Sequence, residues 1–149
     1  MQEKPASAPT RGQVGNITLV ESTAQVGGDK VIVATYLFRA MAVEPKEAMV
    51  AFGSSKIPRS EAKDYQVILV DHQGNVLAQY GIWNPRKLVV EKQGLVENPE
   101  ATYSARFPFD ARAKEVRVLD SQGVLVAKTE VGSVIREFCA KLKHDKDCP

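Results

Sequence analysis

A chain of 149 residues, 44% hydrophobic and 26% charged, is long enough to bury a core and reads by default as one globular domain. Twenty basic residues against 18 acidic ones leave a formal net charge of +2, too balanced to mark nucleic acid or an anionic membrane as a partner. No apolar run approaches the length of a bilayer-spanning helix, so no membrane span is expected.

Residues 1–14 read as a flexible N-terminal segment, because almost nothing there can be buried. The opening MQEKPASAPTRGQ lacks the apolar stretch of a signal peptide. Its Ala, Pro, Ser and Thr content resembles the start of a mature secreted chain, with Met1 then a start added after signal removal. The rival reading is a cytoplasmic protein with a disordered N-terminus. Ile17–Val20 is a short strand and Gly27-Gly28-Asp29 a turn. KVIVATYLFRA, residues 30–40, has the length and β-branched content of a central strand. Pro45, Gly53 and Pro58 then break the pattern. PKEAMVAF is either a helical turn with Pro45 near its start or an irregular strand ending at Gly53. GSSKIPRSEAK is an exposed loop.

The next segment occurs twice. VILVDHQGNVLAQ, residues 67–79, returns 49 positions later as VRVLDSQGVLVAK, residues 116–128. In each copy Asp-x-Gln-Gly suits a type I turn with Asp first and Gly fourth. The carboxylate can accept a backbone N–H inside the turn, and the Gly can take the left-handed conformation of a bulged hairpin loop. If Arg117 faces water, Val116 and Val118 face the core. The phrase therefore predicts one β-hairpin, used twice as scaffold.

Between the copies KLVVEK is a strand, and TYSARFPF alternates with Tyr103, Ala105 and Phe107 on one face. Pro108 marks an edge position or the strand's end. After Gly132-Ser133, residues Ile135, Phe138, Cys139 and Leu142 follow helical spacing, with Ser133 as the N-cap and an end near Lys143. HDKDCP is then a charged tail that folds back to bring Cys148 to Cys139. An even cysteine pair at short spacing predicts one small disulfide and an oxidising compartment, periplasmic or secreted. The alternative is two unrelated thiols, with Cys139 buried on the helix.

These elements describe an all-β antiparallel sandwich over residues 15–131 with a C-terminal α-helix and tail over 132–149. The order of hairpin, Arg-Phe-Pro-Phe strand and second hairpin, across roughly residues 60–130, resembles immunoglobulin-like accessory domains of secreted bacterial proteins. The resemblance implies an immunoglobulin-like β-sandwich without catalysis of its own.

Chemical motifs are thin. His72 lies in a hairpin turn and His144 in the charged tail, neither within a recognised set of metal ligands. Asp71 and Asp120 are accounted for by their turns. Ser60-Glu61-Ala62-Lys63 matches S-x-x-K without its companion motifs, and Gly27-Gly28 lacks the lysine of a phosphate loop. No catalytic residue, metal or cofactor is expected.

Tyr80, Trp83, Asn84 and Arg86 cluster after the first hairpin and form the candidate binding residues. The one tryptophan, beside Pro85, is a candidate anchor. The reading favoured here has it plugging one end of the sandwich instead. The functional expectation is an exported, non-catalytic module that recognises another protein of unknown identity, its own oligomeric state open. A carbohydrate-binding module, a protease inhibitor presenting GSSKIPRSE, or a small hydrolase are the alternatives.

Overall fold

The computed structural model describes residues 29–54 and 61–149. The expected segment 1–14, the strand at Ile17–Val20, Gly27 and Gly28, and the centre of the 53–63 loop lie outside the described residues.

Among the described residues nine strands and one helix follow in order: β1 Lys30–Arg39, β2 Val43–Phe52, β3 Tyr65–Asp71, β4 Val76–Ile82, β5 Lys87–Val90, β6 Gly94–Glu97, β7 Glu100–Pro108, β8 Ala113–Asp120, β9 Leu125–Glu130 and α1 Gly132–Lys141. They form a three-stranded sheet β2-β1-β7, a four-stranded sheet β4-β3-β8-β9 and a separate ribbon β5-β6. Every pairing is antiparallel. The two larger sheets share one core, in which Ile32, Tyr36 and Phe38 of β1 and Phe107 of β7 meet Val67 and Leu69 of β3 and Val116 and Val118 of β8. The expected all-β sandwich with a C-terminal helix is therefore what forms.

β1 is the central strand that its run of Val, Ile and aromatic residues predicts, lying between β2 and β7. Residues 43–52 resolve to the strand alternative, not the helical one. Pro45 is accommodated because β2 is an edge strand, where a missing N–H breaks no inner ladder. Thr35 faces Glu47 while Tyr36 faces Pro45, so Lys46 is the extra residue of a bulge. In β7, Ala105 and Phe107 point inward as the alternation requires, and Pro108 ends the strand.

The two copies of the repeated phrase are the hairpins β3–β4 and β8–β9. In the first, Asp71 Oδ1 accepts the N–H groups of Gln73 (2.9 Å) and Asn75 (2.8 Å). In the second, Asp120 Oδ1 accepts those of Gln122 (2.9 Å) and Val124 (2.9 Å). Gly74 (φ 84°) and Gly123 (φ 82°) take the left-handed conformation. Each copy also carries the same second irregularity. Leu69 faces Ala78 but Val70 faces Val76, and Val118 faces Ala127 but Leu119 faces Leu125, so Leu77 and Val126 are skipped at equivalent positions.

The copies are joined through β3 and β8, with Val67 opposite Val118, Ile68 opposite Arg117 and Leu69 opposite Val116. Since position 67 corresponds to 116 and 69 to 118, this register is symmetric. A local two-fold passes through the Ile68–Arg117 pair and relates one hairpin to the other. Val116 and Val118 are fully buried and Arg117 is partly exposed, the face assignment that the alternation predicts.

Tyr36 ties the sheets together. From β1 its hydroxyl crosses the core, donates to the carbonyl of Val116 on β8 (3.2 Å) and accepts from Thr129 Oγ1 on β9 (2.8 Å). Burial pushes the phenol's pKa up to about 12, against the opposing hydrogen bond from Thr129 and with a smaller push from the charge of Glu115.

Gly74→Val and Gly123→Val should each cost about 1–2 kcal/mol in urea unfolding. Neither glycine has an atom within 4 Å of a would-be Cβ, so the cost is backbone strain alone. The Tyr36 hydroxyl predicts a pH effect. Its pKa is higher folded than unfolded, so its stabilisation is complete below pH 10 and declines as pH rises from about 10 to about 12. The loss is on the order of 2–3 kcal/mol. Melting temperatures across that range should fall more gently for Tyr36→Phe than for the parent protein.

Candidate functional site

The four candidate binding residues part company in the structure. Tyr80 and Ile82 of β4 are buried, and Trp83, the residue that follows the strand, is 70% exposed. The expectation that Trp83 plugs the core is corrected. Tyr80 does the inward work instead. It is buried, packs on Phe107 with ring centroids 5.4 Å apart, and accepts the backbone N–H of Arg106 on β7 (3.0 Å) and the hydroxyl of Tyr103 (3.4 Å). Tyr80 is thus a core residue that closes the edge of β7, and it is removed from the candidate binding set.

Asn84 and Arg86 are spent on holding the loop. The Asn84 N–H donates to Asp64 Oδ2 (2.7 Å), and Asn84 Oδ1 accepts the Arg86 N–H (2.9 Å) in a local turn. Arg86 Nε donates to the Asn98 carbonyl (3.0 Å), and its guanidinium pairs with Glu97 (2.8 Å). The Asn98 N–H returns a bond to the Arg86 carbonyl (2.7 Å). Trp83 therefore projects from a short segment fastened on both sides. An open, polar depression of about 220 Å³ adjoins it, lined by Asp64, Tyr65, Asn84, Lys87, Asp120 and Ser121. The same end of the molecule carries the β8–β9 turn, because Tyr65 faces both Ile82 and Asp120.

Beyond the loop, β5 and β6 form the separate ribbon, held by pairs Lys87–Glu97, Leu88–Val96, Val89–Leu95 and Val90–Gly94. Val89 is 85% exposed and Leu95 65%. Reading KLVVEK as a lone strand missed its partner β6, because Gly94–Glu97 is too short to show a period of its own.

The opposite end is closed by the C-terminus. The sulfurs of Cys139 and Cys148 lie at disulfide distance, with Cα atoms 5.6 Å apart, as the spacing predicts. Closing so short a loop contributes on the order of 2–3 kcal/mol in the chain-entropy account. The tail is not simply a solvated charged run. The Lys30 ammonium, fully buried at the start of β1, pairs with Asp145 (2.9 Å), also buried, and with half-exposed Asp147 (2.7 Å). Burial alone would lower the Lys30 pKa, but the hydrogen bonds and charges of Asp147 and Asp145 outweigh it and raise it. Phe138 of α1 packs between Phe52 (5.8 Å) and Phe109 (5.6 Å). The helix ends at Lys141. Its N-cap is Val131, without a side-chain bond, not Ser133. The capping is done from outside by Glu130, whose carboxylate accepts the Ser133 N–H (3.2 Å) and hydroxyl (2.7 Å). The Ser133 hydroxyl, more than the opposing desolvation, holds the Glu130 carboxyl below its ordinary range.

Among the described residues no group of three or more His, Cys, Asp or Glu side chains is placed to hold a metal ion, and no helix is long and apolar enough to cross a membrane. His72 and His144 are both exposed. Compared with family models, curated proteins and solved structures, the chain matches none.

Asp145→Ala should destabilise the protein by about 3 kcal/mol, because it strips a buried ammonium of a buried counter-charge. Asp147→Ala should cost about 1 kcal/mol, since Asp147 is half in water. Chemical unfolding of the two variants checks the order.

Proposed function

We propose that the protein is a non-catalytic, exported binding module whose contact with another protein centres on Trp83. The observation that carries the reading is the exposure of that indole on a loop fastened by Asp64, Asn84, Arg86 and Asn98. A large aromatic presented with little conformational freedom is the kind of residue that dominates binding energy in protein interfaces. The loop sits on a rigid double sheet, the usual division between scaffold and recognition. Export is supported by the cysteine pair, which forms and persists in oxidising compartments. The resemblance to immunoglobulin-like accessory domains supports the same reading through the side-by-side hairpins of the four-stranded sheet. The three-stranded sheet, in which the middle strand precedes its hairpin partner, is an arrangement of its own.

Trp83→Ala should leave the melting temperature nearly unchanged, since little packing is lost, and should abolish crosslinking to the partner in intact cells. The parent protein's emission should be red-shifted and quenched by iodide. A large stability loss, or unchanged crosslinking by the variant, overturns the reading.

A further inference from the structure

The edges of the two larger sheets are mostly provided for. β2 lies against β9, and Tyr80 of β4 spans to the backbone of β7. The β5–β6 ribbon differs. Among the described residues β5 pairs with β6 along one edge and with no strand along the other. Two of its apolar side chains are in water: Leu88 is 46% exposed and Val89 85%. An open apolar edge on a two-stranded ribbon is a template for a further strand, and such a ribbon gains stability when it is extended.

The order of residues along β5 says which strand fits. The four residues of β5, Lys87-Leu88-Val89-Val90, with Glu91, the turn residue that follows directly, are complementary to themselves when run antiparallel about Val89. Lys87 then faces Glu91 of the second copy, Leu88 faces Val90 of the second copy, and the two Val89 side chains meet. A parallel or shifted pairing loses the opposite-charge match. Lys87 and Glu91 are both exposed, and neither forms an ion pair among the described residues. Glu97, across the ribbon from Lys87, is already taken by Arg86 (2.8 Å).

We propose that β5 is a self-association edge, and that two copies of this chain pair β5 to β5 about a two-fold axis at Val89 to form a continuous sheet β6-β5-β5-β6. The contact is isologous, so it closes at two copies and does not propagate. Four residues of strand and one adjoining turn residue bury less than a standard interface, which makes the dimer weak and reversible. It does not depend on Trp83 having a partner.

Sedimentation velocity over a wide concentration series tests the proposal. The parent protein should show a reversible monomer–dimer equilibrium. Glu91→Lys, at an exposed turn position, should keep the melting temperature and weaken self-association about tenfold, because two lysines then face each other at both ends of the contact. Lys87→Glu should weaken it similarly. An equimolar mixture of the two variants should associate as well as the parent, since every opposed pair is again of opposite sign. Parent protein that stays monomeric at the highest attainable concentration overturns the proposal. So does a Glu91→Lys variant that associates as tightly as the parent, or a mixture that associates no better than its components.

Discussion

The pairing of β3 with β8 is the constraint on which the rest of the molecule depends. A lone two-stranded hairpin is marginal in water. Side by side, the two copies of one hairpin supply four strands and a continuous apolar face, on which β1 and its neighbours close. The symmetric register works because Val67 and Leu69 in one copy match Val116 and Val118 in the other. A slip of one residue would turn these four side chains away from the core and bring Ile68 and Arg117 into it. The two bulges per hairpin recur at equivalent positions, so both copies bend alike and the local two-fold survives to the outer strands.

The remaining polar groups inside are arranged to be satisfied. Tyr36 carries a hydroxyl into the core and spends it on one acceptor and one donor of the opposing sheet. Tyr80 lends its hydroxyl to a backbone N–H at the edge of β7. Lys30 is the more exacting case, since a buried ammonium is tolerated only with its counter-charges in place. The cysteine pair holds the tail that bears Asp145 and Asp147, so the charge at the start of β1 and the covalent link at the end of the chain depend on each other.

The proposed binding surface lies at the other end. There the four-stranded sheet presents Trp83, the β8–β9 turn and the β5–β6 ribbon, and the exposed apolar side chains of Trp83, Val89 and Leu95 are set among charged neighbours. The two proposals, recognition of a partner through the indole and pairing of copies through β5, call on separate groups, a side chain in one case and a strand edge in the other. Both can therefore operate on one scaffold.

Much of the scaffold was legible in the residues alone. The Asp-x-x-Gly turns, the alternation around Arg117, the central run of β1 and the helical spacing of α1 are all local patterns, and local backbone preference decides them. The Cys139–Cys148 pair was legible for the same reason, being nine residues apart. What the sequence did not contain were relations between distant segments. Whether Trp83 faced the core or water depended on the direction in which the chain leaves β4, and the sequence favoured the wrong side because an isolated indole is more often buried. Lys30 and Asp145 stand at opposite ends of the described chain, and only the closure of the sandwich brings them within 2.9 Å. Burial and charge pairing are properties of the assembled core, so the tertiary structure alone decided which residues it encloses and which it leaves exposed.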